Sequence, residues 1–480
     1  MDAVSHGSRR YQLYYGSTRG PEGYALTQLY AALQQHLPYV LTAYGPQQAP
    51  DVDCDAVLIG TCESNPHLAR LVEQGFLTPP TRTEGYCLYV GRSPYRPDRD
   101  AIVILGYDAS GVLYGVRDLE HEYLAARRYA GQYWVKIRPN PLEHPLDPWG
   151  KASSPAIENR GIWCWGHTVY DYRGFIDNMT RAKLNTLILW NDFVPINAPE
   201  VVAYAHSRGV KLVWGFTWCW GETVHPGDQE ALAEWTQRVI ETYEHQYLPA
   251  GGDGIYFQIF TETSDKEIDG HSIAALASQW VNAIAGKLLE RHPNLWIQFG
   301  LHATSVNDRL EQIASVDPRV NITWEDCGGF PYHYDPRKSD DPKATLAFTR
   351  KIATLRGGED FGAVLKAMVC LDWPHFEHQK GPFLLGETDP VWRAERARHQ
   401  AYFWKQANPC WMKQLPLLQD FVRLLRDLPN RRTTLTALAE DGMLEASLPA
   451  AVALLGEALW DPDQADMVGK VMLCPDVTVI

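Results

Sequence analysis

The residues able to do chemistry come in a repeating arrangement. Between residues 158 and 380, short apolar runs end again and again in a tryptophan, carboxylate, amide or imidazole. The first three runs end in Trp163, Trp165, Gly166 and His167; in Trp190, Asn191 and Asp192; and in Trp214, Trp218, Trp220 and Glu222. The next four end in Gln258, Thr261, Glu262 and Asp265; in Gln298 and His302; in Trp324, Glu325, Asp326 and Cys327; and in Asp372, Trp373, His375 and Glu377. Breaking a glycosidic bond needs this equipment. One carboxylic acid protonates the leaving oxygen, and a second carboxylate activates water or attacks the anomeric carbon. Aromatic faces stack on the C–H faces of a sugar ring, and amide and imidazole groups bond its hydroxyls.

Glu262 is the candidate general acid. It follows a strand of apolar residues, where partial burial raises a carboxyl pKa; its structural alternative is a helix cap or a salt-bridged rim residue. Glu325 and Asp326 are candidates for base or nucleophile. Neighbours on a strand point to opposite faces, so one of the two faces the pocket. Asp372 is the alternative partner. The candidate sugar-binding residues are Trp163, Trp165, His167, Trp190, Asn191, Asp192, Trp218, Trp220, Gln258, His302, Trp324 and Trp373. Any single Trp among them also suits a core, Asn191-Asp192 also suits an ordinary loop, and His167 and His302 suit hydrogen bonding better than proton transfer. No HExxH or HxH spacing occurs, so no metal and no cofactor is expected. Two other functions compete: a carbohydrate-binding barrel without catalysis, and a metal-dependent barrel hydrolase using His167, His302 and Asp372.

The elements that must position these groups alternate. Strands are expected at 161–165, 186–190, 211–216, 254–260, 295–299, 321–324 and 364–371, with 382–385 as the candidate eighth. Helices are expected at 175–184, 199–207, 229–247, 272–291, 308–315 and 343–355. Near-continuous apolar strands alternating with helices predict a parallel (β/α)₈ barrel, whose chemistry sits at the C-terminal strand ends. A doubly wound sheet is the alternative, but no Gly-rich phosphate loop follows the first strand. Residues 11–140 read as a mixed α/β unit with strands at 11–15, 56–60, 86–90 and 101–106 and helices at 25–37, 66–75 and 110–125. A Pro-rich linker spans 139–155. The expected organisation is an α/β domain over 1–145, a catalytic barrel over 156–386 and a helical region over 387–480.

Bulk properties narrow the partners. The formal net charge of -14, without a Lys/Arg cluster, argues against nucleic acid. No apolar run is long enough to span a membrane. The nine cysteines show no CxxC or Cys/His metal spacing and read as reduced thiols. With no apolar segment near the N-terminus, a cytoplasmic location is expected. The expected partner is an oligosaccharide or glycoside; the sequence does not set the oligomeric state.

Three segments resemble known families. Residues 84–90, 102–106 and 111–119 (Gly111-Val-Leu-Tyr-Gly) look like the small α/β domain that precedes the barrel in family 20 β-hexosaminidases and in α-glucuronidases. Asn159-Arg-Gly-Ile-Trp163 with 177–190 is similar to their first βαβ unit. The resemblance covers roughly 50–265 and implies an exo-acting glycosidase for N-acetylhexosamine or uronic acid, with Glu262 matching the acid. Family 20 enzymes carry an Asp-Glu pair at the end of strand four, and this chain has Thr261-Glu262. The resemblance to α-glucuronidases implies a base from later strands, Glu325, Asp326 or Asp372, and a cation for the uronate, with Arg160, Arg173 and Lys380 as candidates.

Overall fold

The computed structural model describes residues 10–129, 134–219, 221–222, 224–325, 341–368, 370–371, 379–441 and 444–478. Contacts divide the chain into two compact units. The first comprises Met1–Pro155, His206–Gly209 and Ala465–Val477; the second comprises Ala156–Ala205, Val210–Gln464 and Thr478–Ile480.

The first unit is built on a six-stranded sheet. Its strands are β1 (Tyr11–Tyr15), β2 (Thr42–Tyr44), β3 (Asp55–Thr61), β4 (Tyr86–Arg92), β5 (Asp100–Gly106) and β6 (Trp149–Ser153), in the order β2-β1-β3-β5-β4-β6. Every residue of β3 and β5 is buried, as a parallel strand pair covered on both faces requires. The helix Ala109–Leu119 starts where the Asp108 carboxylate accepts the Gly111 N–H, which supplies the orphan donor of its first turn with a partner. The 139–155 stretch, expected as linker, differs in its last part: Trp149–Ser153 pairs antiparallel with β4. Its alternating exposure is that of an edge strand, which an apolar-run search passes over.

The second unit is a closed barrel of eight parallel strands: β7 (Asn159–Trp165), β8 (Thr186–Trp190), β9 (Lys211–Gly215), β10 (Gly254–Gln258), β11 (Trp296–Leu301), β12 (Val320–Trp324), β13 (Phe361–Met368) and β14 (Thr433–Ala439). Each pairs in parallel with the next, and β14 closes on β7. Seven strands lie where the apolar runs place them. The eighth does not. Residues 382–385 are not a barrel strand. They are part of a strap held by the rim loops: Ile196 N–H donates to Phe383 O at 2.9 Å, Asn197 bonds the Leu385 backbone in both directions, and Tyr172 N–H donates to Gly386 O. The closing strand lies beyond the long helix Pro390–Arg426, inside the region expected to be helical. Among the described residues, no helix is long and apolar enough to cross a membrane.

The first strand pair of the barrel tolerates no side chain at Gly161. A Cβ there would collide with the carbonyl of Thr186, its register partner. Gly161→Ala is expected to destabilise the protein by about 1–3 kcal/mol, read as a lower urea midpoint. An unchanged midpoint would mean that the β7–β8 approach is looser than described.

Candidate active site

Side-chain alternation decides what the barrel mouth holds. On β10, Tyr256 and Gln258 share the inner face; on β12, Asn321 and Thr323 face inward, so Glu325, the next residue of that parity, does too. The three groups meet. The Tyr256 hydroxyl donates to Glu325 Oε1 and the Gln258 amide donates to Oε2, both in short contacts. His302, just beyond β11, brings Nε2 to 2.7 Å from Glu325 Oε2. Gly300 makes room for them, because a Cβ at that position would run into both the Glu325 carboxylate and the Tyr256 hydroxyl.

Glu325 is almost fully buried, at 2 % exposure. Burial by itself would raise its pKa. The His302 hydrogen bond and charge, the Lys366 ammonium and the Tyr256 hydroxyl outweigh burial and bring it down to about 2. Glu325 is therefore an anion at any physiological pH. The same neighbourhood acts oppositely on Tyr256. Burial first, then the Glu325 charge, push its phenol well above the ordinary range, so it remains a donor.

Glu262 stands on the same side of the mouth, with Nε2 of His302 4.0 Å from its Oε2. Its side chain is 49 % exposed, against 3 % for Glu325, so the partial burial expected of Glu262 is not found there and lies at Glu325 instead. One carboxylate is locked in the floor and the other faces solvent, with an imidazole between them. Thr261 is fully buried and has another task. Its Oγ1 accepts the His302 N–H at 3.4 Å and its carbonyl accepts the Ser305 hydroxyl at 2.8 Å, which fixes the loop bearing His302.

The tryptophans divide. Trp163, Trp165 and Trp190 form an inward cluster with Tyr256, with ring centroids 5.0–6.5 Å apart. They build the floor. Trp190 is 1 % exposed and presents no open face, whereas Trp165, at 9 %, is the most open of the three. Trp218 is buried against Phe257 with centroids 3.5 Å apart, and Trp324 packs on Phe348 of the helix Pro342–Ala353. Both lie on the helix-facing side of the strands, away from Glu325. Asn191 is buried and holds the Leu189 carbonyl at 3.1 Å. A Cβ on Gly166 would strike its Oδ1, so the end of β7 passes close against Asn191. Asp192 is exposed on the rim, and His167 lies beside Trp165. Trp220, Asp326, Asp372 and Trp373 lie outside the described residues.

Of the candidate cations, Arg160 is fully buried and donates to the carbonyls of Lys183, Ile157 and Glu158. Arg173 pairs with Glu387 at 2.8 Å, and Lys380 is exposed. Sequence reasoning missed Tyr256 and Lys366, which sit inside apolar runs. Their signal was position: Tyr256 is two residues before Gln258, on the same face. It also missed Glu440 and Glu445 after β14. Glu440 accepts the backbone N–H groups of Cys370 and Leu371 at 2.7 and 2.8 Å and fixes the end of β13.

No protein-family model matches the sequence, and no curated protein matches it. Among solved structures the chain is similar to CpGH84B, with a TM-score of 0.56 at 10% identity, over 96% of this chain and 69% of that one. It is also similar to a GH138 enzyme targeting pectin rhamnogalacturonan II, with a TM-score of 0.52 at 12% identity, over 95% of this chain and 51% of that one. The chain thus spans about half the length of the GH138 enzyme. A mutant Streptomyces plicatus beta-hexosaminidase in complex with GlcNAc overlaps with a TM-score of 0.42 at 13% identity, over 83% of this chain and 91% of that one. At such identities the likeness establishes the fold.

Glu445 gives this end of the barrel a pH dependence. Burial raises its pKa to about 7, against the lowering effect of the Tyr170 N–H that it accepts at 2.7 Å. Below the ordinary glutamate pKa both folded and unfolded chains hold the proton. Between that value and about 7 only the unfolded chain releases it, so stability falls as pH rises. Glu445→Gln should remove up to about 3 kcal/mol of this fall, read as a smaller loss of melting temperature between pH 5 and 8 than in the wild type. Parallel pH profiles for the two proteins would place the Glu445 proton elsewhere.

Proposed function

We propose that this protein is an exo-acting glycoside hydrolase that releases a terminal sugar, of the uronic acid or N-acetylhexosamine type, with Glu262 as general acid and Glu325 as its ionised partner. The observation that carries this reading is His302, placed between a buried carboxylate and a solvent-exposed one. Two carboxyls in different environments are how one site supplies both an acid and an anion.

The separation supports a mechanism. The facing oxygens of Glu262 and Glu325 can be no farther apart than their two distances to His302 Nε2 laid end to end, about 6.7 Å. Retaining pairs stand about 5–5.5 Å apart, whereas inverting pairs stand about 6.5–9.5 Å apart to admit a water. The pair therefore favours retention. Glu262 protonates the glycosidic oxygen as the C–O bond breaks, and Glu325 forms an ester with the anomeric carbon. Glu262, now a carboxylate, takes a proton from the water that cleaves the ester. Thr261, committed to the His302 loop, offers no carboxylate to orient an acetamido group, which favours this route over one assisted by the substrate. The two structures of like fold above a TM-score of 0.5 carry glycoside hydrolase family names, and the pectin target of one makes uronate-capped oligosaccharides the first substrates to try.

The test is hydrolysis of a panel of nitrophenyl glycosides and uronate-capped oligosaccharides. Glu262→Gln and Glu325→Gln should each lower kcat by about 10²-fold or more, and the first-formed product should keep the anomeric configuration of the substrate. Full activity in Glu262→Gln would overturn the acid assignment. Sugar binding without turnover by the wild type would make the protein a non-catalytic barrel.

A further inference from the structure

The first unit contains a second reactive arrangement, which the glycosidase reading does not use. The turn Glu120–Leu124 carries His121, and the tail segment 474–476 brings Cys474 and Asp476 against it. Cys474 Sγ lies 3.3 Å from His121 Nδ1 and 3.4 Å from Nε2, and His121 Nε2 lies 2.8 Å from Asp476 Oδ2. The buried Arg117 guanidinium stands on the same atoms. It donates to Asp476 in a short contact and to Glu120 at 2.8 Å, and its Nη2 lies 2.9 Å from His121 Nε2.

A thiol beside an imidazole that a carboxylate orients is the arrangement by which proteins activate a sulfur nucleophile. Arg117 also argues against a metal among these side chains, because its guanidinium stands where an ion bridging His121 and Asp476 would have to sit. We propose that Cys474 is a thiol–disulfide exchange site that takes small disulfides, forming a mixed disulfide on the tail.

The exchange balances without a further oxidant. The Cys474 proton leaves to water. The thiolate attacks one sulfur of the disulfide. The new S–S bond forms as the old one breaks, and the departing thiolate takes the His121 proton, which water replaces. One thiol is oxidised to the mixed disulfide, and half of the small disulfide is reduced to a thiol. His121 suits the role. Burial and the Arg117 charge work against its protonation, but the Asp476 hydrogen bond and the neighbouring sulfur prevail and raise its pKa to about 9.

The experiment treats the intact chain with oxidised glutathione at pH 7 and follows each cysteine by peptide mass spectrometry. Cys62, which is exposed and far more accessible than the half-buried Cys474, is the internal control. Cys474 should react about tenfold faster than Cys62. His121→Gln should abolish that advantage, with Asp476→Asn acting in the same direction; circular dichroism identifies any variant that has simply lost its fold. The proposal is overturned if Cys62 reacts as fast as Cys474, or if His121→Gln leaves the Cys474 rate unchanged or raises it.

Discussion

An anion in the floor of a barrel costs several kcal/mol unless charge and hydrogen bonds replace the water it gives up. The mouth of this barrel is arranged around that constraint. Glu325 has a donor on each oxygen, Tyr256 and Gln258, and an imidazole at 2.7 Å. Remove Gly300 and there is no room for them; remove Thr261 and the loop that aims His302 loses its anchor. The tryptophans that pack on Tyr256 hold its hydroxyl in place and keep solvent from competing for Glu325. The exposed Glu262 is tied to the same set through His302, whose Nε2 lies 4.0 Å from its Oε2.

Much of this arrangement was legible in the sequence. Seven barrel strands announced themselves as apolar runs, and Glu262, Gln258, His302 and Glu325 were legible as polar groups where those runs stop. The rule that neighbours on a strand face opposite ways reduced Glu325 and Asp326 to one pocket residue; Glu325 meets Gln258 and His302, and Asp326 lies outside the described residues. The face occupied by a strand-end tryptophan could not be read, because the helix side and the pocket side of a parallel strand are both apolar. Trp218 and Trp324 therefore looked like sugar platforms but pack against Phe257 and Phe348. Tyr256 and Lys366 were hidden by their apolar surroundings.

The eighth strand failed for a different reason. Thr433–Ala439 is rich in threonine and alanine and follows a 37-residue helix, so neither composition nor cadence marks it. Phe383, Leu384 and Leu385 look far more like a strand, but Ile196 and Asn197, after β8, take up the Phe383 carbonyl and both backbone groups of Leu385. The cluster at Cys474 was beyond any local pattern, since its histidine lies 353 residues away. Spacing rules find sites built by one turn or hairpin and pass over those built from residues far apart in the sequence.

The account depends on Glu325 being ionised while Glu262 takes up the proton. Carboxyl carbon NMR of the protein labelled at glutamate Cδ, with Glu325→Gln to assign the signal, tests this directly. The account predicts a Glu325 resonance at the carboxylate position that does not move between pH 4 and pH 8. A resonance that titrates in that interval would contradict it, because the buried carboxyl would then be the proton carrier and the roles of the two glutamates would have to be exchanged.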